Sequence, residues 1–217
     1  MLAMSICIPT YEMNGLGAQY LKHQFDIFVN QTVQNFEVVV SDHSKNDDIE
    51  KLCKPYAALH NKYGKFSTVY VRNENNEGNS SANANNAIRH SNTDIVKIMF
   101  QDDYLFTKDA IEKMIVAFSV DCSWLIVGST HTTTGQMTFN PMIPKYNDQI
   151  HLGNNTISSP SVLAMRKGVF FDENLIWLMD VELYKRLHDA FGLPKILEDC
   201  LVVNRIGESQ LSHTIPE

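Results

Sequence analysis

Ser5-Ile6-Cys7-Ile8-Pro9-Thr10-Tyr11-Glu12 opens the chain with a short apolar run that stops at Pro-Thr-Tyr. A run of this length, apolar on both faces and closed by a turn former, reads as a buried strand of a covered sheet. Four further runs have the same character: Phe36 to Ser41, Thr68 to Arg72, Ile95 to Phe100 and Trp124 to Gly128. Helix-period segments fill the gaps between the first four, at Gly17 to Asn30, Asp47 to Lys62 and Ser80 to His90. Strand and helix in alternation predict an α/β fold with a mostly parallel central sheet and helices on both faces. Such sheets bind ligands beyond the carboxyl ends of their strands.

The polar residues that follow those ends are therefore the candidates for chemistry. They are Pro9, Thr10 and Tyr11 after the first strand, Asp42 after the second, and Gln101-Asp102-Asp103 after the fourth. Adjacent side chains of an extended backbone point to opposite sides, so Asp102 and Asp103 cannot make the same contact. The same acids also read as an exposed turn or a helix cap. Asp42, followed by His-Ser-Lys-Asn-Asp, equally reads as an ordinary turn and helix start. Gly78 and Asn79 precede a helix, where backbone N–H groups can face an anionic ligand.

A helix from Thr107 to about Val120 is expected after the fourth strand, and another at Asp180 to Phe191, with Leu183, Tyr184, Leu187 and Phe191 on one stripe. Residues two apart on a helix project about 200° apart, which puts Asp180 with the inward stripe and Glu182 toward solvent. His131 to Thr156, rich in Thr, Asn, Gly and Pro, shows neither period and reads as a long loop for an acceptor or a lid.

Composition narrows the classes. The 217 residues, 44% hydrophobic, suit one domain with a substantial core. A formal net charge of -7 with scattered Lys and Arg excludes the basic footprint of a nucleic-acid partner. Cys7, Cys53, Cys122 and Cys200 form no CxxC pair, so they read as reduced thiols. With no signal-like amino terminus and no transmembrane segment, a cytoplasmic location is expected.

In order, SICIPTYE, FEVVVSD, NEGNSSA, IVKIMFQDD and MDVELYKRL resemble the family-2-like glycosyltransferases of the GT-A fold, across nearly the whole chain. The resemblance implies a Rossmann-like nucleotide-diphospho-sugar transferase, with a donor-binding part over about 1–103 and an acceptor and catalytic part over about 104–217. It implies transfer of a hexose from a nucleotide sugar, expected to be a UDP-hexose, to a glycan or glycoprotein acceptor, the alternatives being a catalytically inactive sugar-nucleotide-binding module or a sugar-phosphate nucleotidyltransferase. Mn²⁺ or Mg²⁺ would be held by Asp103 at the family's DXD position. Donor contacts would come from Pro9, Thr10, Tyr11, Asp42, Gly78, Asn79 and Asp102. Phe100 stands where many relatives carry another acid. Asp180 would be the catalytic acid on the acceptor side, a base if configuration is inverted and a positioning group if it is retained. The segment from Arg205 resembles the family's C-terminal strap over the pyrophosphate, with His213 as a further metal ligand or a phosphate contact.

Overall fold

The computed structural model describes residues 1–63, 66–75, 78–118 and 121–207. Strands β1 (Met4–Thr10) and β2 (Phe36–Asp42) are buried along their whole length, as their apolar runs require. They pair in parallel, with β3 (Ser67–Arg72) outside β2 and β4 (Ile95–Ile98) on the other side of β1. The registers set Thr10 beside Asp42, and Asp42 beside Arg72, at one rim.

Helix α1 (Gly17–Val29) buries Leu21, Phe25 and Phe28 at helical spacing. Phe25 meets Tyr56 of α2 (Asp48–Tyr63) with ring centroids 4.5 Å apart, and Phe36 stacks on Phe66 at 5.2 Å, so aromatic packing seats both helices on the sheet. Helix α3 (Ser80–Arg89) starts at Asn79, whose side chain accepts a hydrogen bond from the Ala82 N–H at 2.8 Å.

Beyond β4 the chain departs from the simple alternation. A two-residue strand β5 (Tyr104–Leu105) is followed by a bend and turn over 106–109, so that the next helix, α4 (Ala110–Ala117), starts later than the expected Thr107. Strand β6 (Trp124–Thr132) is longer than its apolar core and turns back into β7 (Phe139–Met142), pairing Ser129 with Met142 and His131 with Phe139. The start of the expected 131–156 loop is thus a hairpin. Its threonines supply what a turn needs: Thr130 donates to the Phe139 carbonyl at 2.8 Å and Thr132 to that of Met137 at 2.7 Å.

Then follow β8 (Leu163–Arg166), α5 (Met179–Phe191) and β9 (Lys195–Arg205). The sheet order is β3-β2-β1-β4-β8-β6-β9-β5, with β7 on β6. β8 runs antiparallel to both β4 and β6, whereas β9 is parallel to β6. On α5 the stripe of Leu183, Tyr184 and Leu187 is buried as expected; Phe191, in the last turn, is instead half exposed. No helix among the described residues is long and apolar enough to cross a membrane. All four cysteines are free.

Candidate active site

At the rim formed by the ends of β1 and β2, an uncharged side chain of α3 joins the strands. Asn83 of α3 donates to the Thr10 carbonyl at 3.0 Å and accepts from Ser41 Oγ at 2.6 Å and Asn73 Nδ2 at 3.3 Å. Three segments are fixed by one amide. Pro9 and Thr10 are buried within β1, and the Thr10 hydroxyl donates to the Ser41 carbonyl at 3.1 Å. Tyr11 turns outward, half exposed, while its N–H donates to Gln101 Oε1 at 2.9 Å.

Asp42 has no exposed side-chain surface. Its carboxylate accepts from the Tyr70 hydroxyl at 2.8 Å and the Ser44 N–H at 2.9 Å, with the Arg72 guanidinium 3.8 Å away. Asp42 organises Tyr70 and Arg72 at this end of the sheet. Gly78 has φ +81°, a left-handed turn with open space around it, and leads into the Asn79 cap. Asn79 also donates to the Glu173 carbonyl at 2.7 Å, joining α3 to the segment before α5. Asn76, Glu77 and His213 lie outside the described residues.

The two acids after β4 part, though not by strand alternation: β4 ends at Ile98, and the Asp103 N–H donates to the Phe100 carbonyl at 3.2 Å, closing a turn that contains Gln101 and Asp102. Asp103 is buried, and both of its oxygens are engaged: Oδ1 accepts from the Arg205 N–H at 2.9 Å, Oδ2 from Asn204 Nδ2 at 2.9 Å and Ser159 Oγ at 3.2 Å. Asp102 is partly exposed, near enough to Tyr11 that its charge helps raise the phenol, after burial. Burial pushes both carboxyls up, and at Asp102 the charge of Asp103 pushes further in the same direction. Arg205 offsets part of this at Asp102; its guanidinium lies 4.7 Å from the Tyr20 ring centroid. Beneath the pair, Lys97 is fully buried and donates to the Ile98 carbonyl at 2.8 Å and to that of Ser161. Burial brings its ammonium down to about 7, against the pull of Asp103.

Among the described residues no group of three or more His, Cys, Asp or Glu gathers into a metal cage. A cage is not what a nucleotide site needs. Mg²⁺ and Mn²⁺ take one or two carboxylates and complete their shell with phosphate oxygens and water. Of the two carboxylates, the partly exposed Asp102 has surface to offer such a cation, whereas both oxygens of Asp103 are taken by hydrogen bonds.

Asp180 lies in the first turn of α5, preceded by Leu178 at φ 58°. Burial raises its carboxyl, while the N–H groups of Val181 and Asp180 and a 2.7 Å hydrogen bond from Asn155 lower it. Ser80 and Ser81 touch Met179 Sδ at 3.3 Å, and Ser81 donates to the Leu175 carbonyl at 2.9 Å, so the start of α3 packs against the start of α5. Glu182 is occupied by Arg186 one turn on. Asn204, Ser159, Asn155, Asn83 and Lys97 were not among the sequence candidates. The one signal was Leu201-Val202-Val203 ending in Asn204-Arg205, an apolar run with polar residues at its end.

Residues 5–180 match the sequence profile described as glycosyl transferase family 2, from the start of β1 to Asp180. The chain belongs to glycosyl transferase family 2. No curated protein is similar enough in sequence to be matched. Among solved structures, Staphylococcus aureus TarS 1-349 in complex with UDP superposes with a TM-score of 0.70 at 16% identity, over 95% of this chain and 61% of that one. The same protein in complex with UDP-GlcNAc gives 0.69 at 16% identity, over 100% and 62%. The mannosyltransferase PcManGT of Pyrobaculum calidifontis, in complex with GDP-Man and Mn²⁺, gives 0.66 at 14% identity, over 95% and 58%. These likenesses establish the GT-A fold for this family-2 chain, which spans about three-fifths of each of those structures.

Proposed function

We propose that this family-2 chain transfers a hexose from a UDP-sugar to a glycan or glycoprotein acceptor, with Mn²⁺ or Mg²⁺. The observation that carries the reading is the acid pair Asp102 and Asp103 at the end of β4, on the rim where open α/β sheets take ligands, with Asp180 on the helix packed beside that rim. The similar folds bound to UDP, UDP-GlcNAc and GDP-Man with Mn²⁺ support a nucleotide-sugar donor.

The donor part is assigned to about 1–103 and the acceptor part to about 104–217. Tyr11, Gly78 and Asn79 line the donor side, while Pro9 and Thr10, buried within β1, serve it through the backbone that turns Tyr11 outward. Asp42, being buried, serves it through Tyr70 and Arg72. The full engagement of Asp103 favours Asp102 as the direct metal ligand, with Asp103 reaching the ion only by exchanging a hydrogen bond. The metal, when bound, offsets the charge left on the departing diphosphate. Asp180 accepts the proton of the acceptor hydroxyl as that oxygen bonds to the anomeric carbon and the sugar–phosphate bond breaks toward the nucleotide.

The experiment is a thermal-shift titration with UDP-glucose and UDP-GlcNAc, in Mn²⁺ and in EDTA. A ligand at 100 times its Kd stabilises by about 2.7 kcal/mol. The shift is expected in Mn²⁺, abolished by EDTA and lost in Asp102→Asn; an equal shift in EDTA overturns the metal assignment.

A further inference from the structure

Asn155 stands in the segment that separates the two candidate acids, and all of its amide is used. Its Oδ1 accepts from the N–H groups of Ile157 at 2.9 Å and Ser158 at 3.1 Å, closing a turn on its own backbone. Those two bonds fix which way the amide faces, because an Nδ2 could not accept them. Nδ2 therefore points the other way, donating to Asp180 Oδ2 at 2.7 Å and to the Ser158 carbonyl at 3.0 Å.

The bond to Asp180 is not needed to make the turn. It joins a longer path. Ser158, held at φ 109°, donates from Oγ to Asn204 Oδ1 at 3.0 Å. Asn204 Nδ2 reaches Ser159 Oγ at 2.6 Å and Asp103 Oδ2 at 2.9 Å, and Ser159 Oγ itself donates to Asp103. From below, the buried Tyr184 hydroxyl donates to the carbonyls of Ser158 at 3.2 Å and Ser159 at 3.0 Å, one turn of α5 beyond Asp180. Ser158 and Ser159 are thus clamped between α5 and the end of β9, and a continuous run of hydrogen bonds joins Asp180 to Asp103. A left-handed, non-glycine Ser158 persists only where its surroundings over-determine it, as they do here.

We propose that Asn155 is a positioning residue for transfer, fixing the orientation of the Asp180 carboxylate and tying it through Ser158, Asn204 and Ser159 to Asp103. This rests on the reading of Asp180 as the acceptor-side base. The groups around Asp180 are the backbone N–H groups of Asp180 and Val181, the Asn155 amide and the Tyr184 phenol. The phenol is held well above its ordinary range by burial and by the charge of Asp180, so Asn155 is the side chain that favours the carboxylate.

Asn155→Asp separates positioning from folding. It keeps the oxygen that closes the turn and removes the donor. The expected result is transfer reduced about tenfold to 10²-fold, the scale of misplacing a reacting group, with UDP-sugar thermal shifts unchanged. The acid limb of kcat/KM for the acceptor should move to higher pH, and carboxyl NMR of the metal-free protein should show the Asp180 signal, assigned by its loss in Asp180→Asn, titrating higher. Asn155→Ala should lower transfer too, and melting curves check that each variant folds; should Asn155→Ala not fold, Asn155→Asp carries the test. Wild-type rates and an unmoved Asp180 titration in Asn155→Asp, with Asp180→Asn inactive, overturn the proposal alone. Normal transfer by Asp180→Asn overturns the reading of Asp180 as well.

Discussion

Lys97 is a buried cation in the middle of the sheet, and its titration reports on stability directly. An unfolded lysine titrates at about 10.4, whereas burial brings Lys97 down to about 7 in the folded chain. Between those values the unfolded chain holds a proton that the native chain lacks, so this residue's contribution to stability rises with pH across the window and is flat below it. Urea midpoints of the wild type relative to Lys97→Met should therefore increase from pH 7 to pH 9.5; parallel profiles would contradict the assignment. The slope is the readout, since the variant also loses the hydrogen bonds to Ile98 and Ser161. At this scale the sequence was legible in type and not in detail. Strand alternation was the expected reason for Asp102 and Asp103 to diverge, but a turn from Phe100 to Asp103 parts them instead, and which one turns inward depends on Asn204 and Ser159, brought there by distant parts of the chain. No local pattern encodes that choice. Glu182 was read outward from helix geometry alone and is paired there with Arg186.

Elements with long periods or continuous apolar runs were readable to within a few residues: β1, β2, β3 and α1 to α3 end close to where the pattern ends. β8 and β9 were missed for physical reasons. β8 has four residues, too few to show a period. The first half of β9 is largely exposed, and its register against β6 jumps from Leu197 at Val127 to Cys200 at Gly128, so Glu198 and Asp199 interrupt the apolar run. The bulge needs Gly128, because a Cβ there would lie 2.7 Å from the Asp199 carbonyl oxygen. The start of α1 has a similar demand. A Cβ on Gly17 would stand 2.1 Å from the Tyr11 carbonyl oxygen and 2.8 Å from Gln101 Nε2. Intrinsic propensity favours alanine in a helix by about 1 kcal/mol, but the clash is with backbone. Gly17→Ala should be destabilised by about 1–3 kcal/mol in chemical denaturation; a stabilised variant would show that α1 can shift away from the rim.

Across the whole molecule, β3, β2, β1 and β4 form a parallel block, with β1 and β2 fully buried and β3 half-buried at its edge, and the chain reverses at β8. β7 lies off the main strand path with an exposed face. Native-state hydrogen exchange should find the amides of β1 and β2 opening only with global unfolding and those paired in β7 opening locally, orders of magnitude faster; equal protection would mean that the hairpin is part of the cooperative core. The fold class was legible because the parallel block comes first and carries its own pattern, while the reversal rests on pairing between segments remote in sequence. The Asn83 hub sits at the end of that block. It is built from amides, a hydroxyl and a backbone carbonyl, none of which ionises in the physiological range or attracts counterions. Ionic strength and acidification act on charged groups and leave these bonds unchanged, so the joint of β1 and β2 with α3 does not depend on the protonation of the acids around it.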